Sequence, residues 1–158
     1  MAMMKAAVFI EPGRIELVDK KIPDVGPDDV LMRITTTTIC GTDVHILKGE
    51  YPVAKNLTVG HEPVGVIEKI GSNVKGYKEG QRVIAGAICP SFKSYPCQDG
   101  VPSQDGSYLR MDGTCSCHGY KATAGWRFGN VIDGTQAEYV LVPDAEANLQ
   151  PIPDSLTD

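Results

Sequence analysis

The 158-residue sequence predicts a mainly β domain, an antiparallel meander or partial barrel with one or two short helices and a long irregular lobe. Three observations predict it. Short β-branched or alternating runs bounded by Gly and Pro recur along the chain. Helical periodicity is confined to one segment. About fifty residues, 86 to 135, are rich in Gly, Ser, Pro, Asp and Cys and keep no period, which marks a functional or interaction lobe.

KAAVFI (5 to 10) and RIELVD (14 to 19) read as strands, and the Glu11-Pro12-Gly13 punctuation between them as a tight hairpin. DVLMRITTTT (29 to 38) is a third strand that runs out just before Cys40. TDVHILKG, from Thr42 to Gly49, gives two helical turns with Thr42 as N-cap and Gly49 as terminator. PVGVIEKI (63 to 70) and QRVIAGAI (81 to 88) are strands joined by the turn-rich GSNVKGYKEG. QAEYVLVP (136 to 143) is the last strand, and in the tail Asp154 or Ser155 reads as the cap of a new helix.

A chain this long buries roughly 70% of the surface its unfolded form exposes, so one core is expected. A net charge of −5 with no basic run argues against nucleic acid or an anionic membrane as partner. The N-terminal apolar run before Glu11 is too short for a signal segment, which predicts a cytoplasmic protein. Five cysteines at irregular spacing fit reduced thiols or metal ligands better than a disulfide framework.

The stretch CGTDVHILKGEYPVAKNLTVGHE, 40 to 62, gathers the candidate chemistry. Cys40 sits at a strand end, and His61 lies in a second corner flanked by Gly60 and Gly65, where backbones can approach closely. A thiolate and an imidazole from two such corners make half of a zinc site. His45 lies about 140° around the helix from Cys40 and is not expected on the same ion. Thr42 and His45 share a helical face and suit a proton relay. Asp43 is placed to accept from the far ring nitrogen of His61. Glu62 is a neighbouring charge or an alternative metal contact.

GHEPVGVIEKIGSNV, 60 to 74, fits the zinc signature GHE, two residues, Gly, five residues, Gly, two residues, small apolar residue. With CGTDVH upstream, it resembles the medium-chain zinc-dependent alcohol dehydrogenases, and AGWRFGNVIDGTQAEYVLVPDAEANL resembles their secondary-alcohol branch. The resemblance implies a GroES-like partial barrel over residues 1 to 158 as the catalytic domain, with Cys40 and His61 as zinc ligands. It further implies Thr42 and His45 as the relay, His45 as the one cofactor contact of this chain, Asp43 behind His61, Glu62 near the metal, and Ala87 and Trp126 in the substrate pocket. In that chemistry zinc lowers the pKa of a bound alcohol so that hydride can pass to NAD or NADP. The substrate would be a small alcohol, ketone or aldehyde.

Two departures shape the expectation. Cys89, Cys97, Cys115 and Cys117 do not keep the four-cysteine spacing of the family's structural zinc, so a second zinc is not expected; Cys115, Cys117 and His118 are the set to watch. No GxGxxG turn occurs, so the resemblance places the third zinc ligand and the nucleotide-binding Rossmann domain after residue 158. Residues 1 to 158 alone are therefore expected not to turn over, and the exposed interdomain face to allow homo-oligomers. Two rival readings are a non-enzymatic scaffold on the same barrel, which would lack a formed Cys40/His61 cluster, and a thiol or metal-storage protein built on Cys115 and Cys117.

Overall fold

The computed structural model describes residues 2 to 92, 94 to 105 and 126 to 157. Two antiparallel sheets carry the fold. In the first, β1 (Met3–Glu11) lies between β2 (Arg14–Lys21) and the two-residue β4 (Leu57–Thr58). The Glu11↔Arg14 pair closes the Pro12-Gly13 hairpin expected from the sequence. In the second, β3 (Val30–Thr37) pairs with β7 (Tyr139–Val142) and β5 (Pro63–Ile70), and β6 (Arg82–Ala85) joins β5 to β8 (Leu149–Pro151).

Residues 136 to 138 tie the sheets into an open, partial barrel. The Ala7 amide donates to the Gln136 carbonyl at 2.8 Å, and the Glu138 amide to the Lys5 carbonyl at 3.1 Å. These residues were expected inside the last strand; they bridge to β1 instead, and β7 is correspondingly shorter. β6 ends at Ala85 rather than Ile88 because Ile88 leaves the sheet to pair with Trp126. β4 and β8, two and three residues long, are too short to show a period and were not expected.

The main core is built from alternate residues of the larger sheet, Val30, Met32, Ile67, Val83, Val140 and Val142, closed by Phe128 and Cys89. A smaller core of Phe9, Val59 and Ile46 fastens helix α1 (Gly41–Leu47) onto the first sheet. Ile46 is fully buried, and burying such a side chain is worth about 1.5–3 kcal/mol. Asp43, three residues earlier on the same face, is buried with it, while Val44 and His45 face outward. Two single-turn helices, α2 (Tyr95–Gln98) and α3 (Ala145–Asn148), were not read from the sequence. No helix among the described residues is long and apolar enough to cross a membrane.

Candidate metal centre

Cys40 enters α1 as its N-cap, with φ −88° and ψ 160°. The expected cap, Thr42, is already inside the helix. Asp43 makes Cys40 the boundary: its Oδ2 accepts the Cys40 amide at 2.8 Å, the reach-back of a capping box. The end of β3 then meets the start of β5, because the Thr38 hydroxyl donates to the Glu62 carboxylate.

Gly60 sets the second corner. Its φ of +93° is a left-handed conformation that favours glycine, and its carbonyl accepts the Thr135 amide at 3.0 Å. His61 follows and is 7% exposed, its ring edge-on to Trp126 at 5.7 Å and 69°. Nε2 lies 3.4 Å from Thr42 Oγ1 and 3.8 Å from Glu62 Oε1. The buried Nδ1 has no hydrogen-bond partner among the described residues.

These two corners bring one donor atom each from Cys40, His61 and Glu62 within 4.8 Å of one another. Thiolate, imidazole and carboxylate are the three donor types zinc accepts in proteins. The donor set itself fits a zinc ion: His61 places Nε2 3.8 Å from Glu62 Oε1, while its unpartnered nitrogen, Nδ1, is the other one. The Thr38 hydroxyl holds the Glu62 carboxyl below its usual value, and Cys40 and His61 add to it against the cost of burial, so the carboxylate stays ionised at neutral pH.

Other expected residues are placed differently. No hydrogen bond joins Asp43 to His61: Asp43 Oδ2 accepts from the Cys40 amide, and Oδ1 is buried without a partner among the described residues. Thr42 and His45 do not bond to each other either. Thr42 turns to His61, while His45 Nδ1 pairs with the Glu50 carboxylate and its ring lies 5.1 Å from that of Tyr51. Tyr51 in turn meets Trp126 edge-on at 6.2 Å. Trp126 therefore borders the site, and half-buried Ala87 sits one residue before Ile88, which pairs with it. Glu50 and Tyr51 escaped sequence reasoning. The available signal was the Gly49 terminator, which folds the next two residues back over the helix end.

Cys89 and Cys97 are buried free thiols; Cys97 Sγ accepts the Ser94 hydroxyl at 3.3 Å. Cys115, Cys117 and His118 lie outside the described residues. Burial pushes the Cys89 thiol up to about 12, so the stability it lends is complete below the ordinary thiol range and is lost as pH rises toward that value. Alkylation at about pH 8.5, close to the ordinary thiol value, is expected to modify half-buried Cys40 and spare Cys89 until the protein is denatured. Peptide mapping that found Cys89 labelled in the native protein would contradict this.

The alcohol dehydrogenase GroES-like domain family matches residues 26 to 154. The chain belongs to this family. It is 83% identical over 157 residues to an alcohol dehydrogenase of Cupriavidus necator, covering 99% of this chain and 43% of that protein. It is 36% identical to a probable NADP-dependent isopropanol dehydrogenase of Mycoplasma pneumoniae, over 97% of this chain and 40% of that protein. Among solved structures, zinc dependent alcohol dehydrogenase 2 from Streptococcus pneumonia, in its apo form, superposes with a TM-score of 0.78 at 34% identity, over 98% of this chain and 40% of that one. The chain thus spans about two fifths of the length of such relatives, and the expected GroES-like partial barrel is what they share with it.

Proposed function

We propose that residues 1 to 158 are the catalytic domain of a zinc-dependent alcohol dehydrogenase, with Cys40, His61 and Glu62 as the zinc donors within these residues. The observation that carries the reading is the convergence of those three donors within 4.8 Å, with the buried His61 placing Nε2 3.8 Å from Glu62 Oε1. Bound there, zinc supplies Lewis acidity that lowers the pKa of an alcohol oxygen. Relatives named as NADP-dependent isopropanol dehydrogenases support a small secondary alcohol or ketone as substrate and NAD or NADP as hydride partner.

This chain's own residues then divide the work. Trp126, edge-on to His61, and Ala87 wall the substrate side and exclude water. Thr42, its hydroxyl at the metal cluster, accepts the proton that leaves the alcohol as it passes its own proton on toward His45. His45, 46% exposed, delivers it to solvent. Thr42 and His45 are not hydrogen-bonded to each other, so the transfer needs a bridging hydroxyl or water between them. Asp43 keeps Cys40 at the helix entrance. A cytoplasmic setting, a nucleotide-binding domain elsewhere in the protein and self-association through the face beside the site complete the proposal.

Zinc is expected to bind one equivalent per chain and to protect Cys40 from alkylation, with protection lost on adding a chelator. Labelling of Cys40 at the same rate with and without one equivalent of zinc would overturn the proposal.

A further inference from the structure

The proton exit assigned to His45 is built more firmly than an exposed side chain requires. Gly49 takes φ +77° and donates to the Ile46 carbonyl at 2.9 Å, which reverses the chain at the helix end. A Cβ at Gly49 would stand 2.9 Å from Pro12 Cγ, and the Gly13 amide donates to the Leu47 carbonyl at 2.6 Å, so the turn is clamped to the β1–β2 hairpin. The returning chain lands on His45 itself. The Glu50 amide donates to the His45 carbonyl at 2.9 Å and the Tyr51 amide to the same carbonyl at 3.4 Å. Their side chains follow, Glu50 to Nδ1 and Tyr51 onto the ring. Backbone and side chain of one residue are thus held by the same two neighbours.

We propose that Glu50 is a positioning residue that holds neutral His45 in the Nδ1–H tautomer, with Tyr51 fixing the ring plane, so that Nε2 is left as the one nitrogen able to accept a proton. A carboxylate accepts only, so its partner nitrogen must carry the hydrogen. In a neutral imidazole the other nitrogen is then the acceptor. Nδ1–H is the minor tautomer of a free histidine side chain, and a charge-assisted bond at a half-exposed site is strong enough to reverse that preference by about tenfold. The hydrogen bond from His45 also holds the Glu50 carboxyl below its usual value, which keeps it an acceptor through the neutral range. The inference rests on the proposed role of His45 for its purpose, but the tautomer exists with or without catalysis.

The test is a long-range ¹H–¹⁵N correlation spectrum of the chain, recorded well above the histidine titration range, with the His45 signals assigned by their loss in H45Q. Wild-type His45 is expected to show a protonated Nδ1 and an unprotonated Nε2. Glu50→Ala should shift the population about tenfold toward Nε2–H, while E50Q, whose carbonyl still accepts, keeps an intermediate ratio. Zinc content of the same samples should be unchanged, since Glu50 is no donor to the metal cluster. A wild-type Nε2–H tautomer, or an E50A spectrum identical to wild type, overturns the inference. Absence of zinc from samples that show the Nδ1–H tautomer would instead overturn the metal-site reading and leave this one standing.

Discussion

Replacing His61 by Ala is expected to weaken zinc binding by more than about 100-fold, because changes to mere outer partners of a metal already cost about 10–100-fold. His61 is the only buried member of the three-donor cluster, so its loss leaves a half-buried thiol and an exposed carboxylate, which cannot enclose an ion. A competition titration against a chromophoric chelator measures the affinity. The chain carries its own reporter, since Trp126 is its one tryptophan and stacks edge-on against His61. Zinc should therefore perturb Trp126 fluorescence in the wild type and leave it unchanged in the variant. His61→Gln, which keeps most of the ring's volume, guards against a trivial packing defect. Wild-type affinity in both variants would remove His61, and with it the metal centre, from consideration.

The two corners of this site were legible in sequence for a physical reason. Cys40 and His61 stand where strands end, and strand ends are marked by the loss of β-branched alternation and by glycine. The helix Gly41–Leu47 was legible by its terminator Gly49, and the hairpin by Pro12-Gly13. What sequence did not yield were contacts set by turns of the chain on itself. Asp43 was expected behind His61 as an acidic neighbour of the ligands and by the family resemblance, but a carboxylate at the third helical position satisfies the nearest open amide first, and that is Cys40's. Glu50 and Tyr51 carry no local pattern of their own, and only the reversal at Gly49 puts both on His45. β4 and β8 gain their partners only once the larger strands are in place, so no local pattern announces them.

Gly60→Ala is expected to cost about 2–4 kcal/mol of folding stability and to displace His61 even in molecules that fold. Two effects add. The left-handed φ of +93° strains any residue with a Cβ, by about 1–2 kcal/mol. The Cβ would also stand 2.6 Å from Gln136 Cγ, 2.9 Å from the Gln136 amide nitrogen and 2.9 Å from Thr135 Oγ1. The Gln136 side chain can move, but its backbone cannot, because that amide donates to the Val59 carbonyl at 2.9 Å and the neighbouring carbonyl-to-Ala7 bond ties the two sheets together. Relief must therefore come from the Gly60 side, one bond from the candidate ligand. Gly76 supplies the control: its φ is +79°, nearly the same strain, yet a Cβ there meets nothing within 4 Å. Gly76→Ala should cost only the strain itself, about 1–2 kcal/mol in urea unfolding, and leave zinc affinity unchanged. The difference between the two variants isolates the crowding at the metal corner. Equal losses of stability with wild-type zinc affinity in both would mean that the close approach of 135–136 to Gly60 does not hold His61 in place.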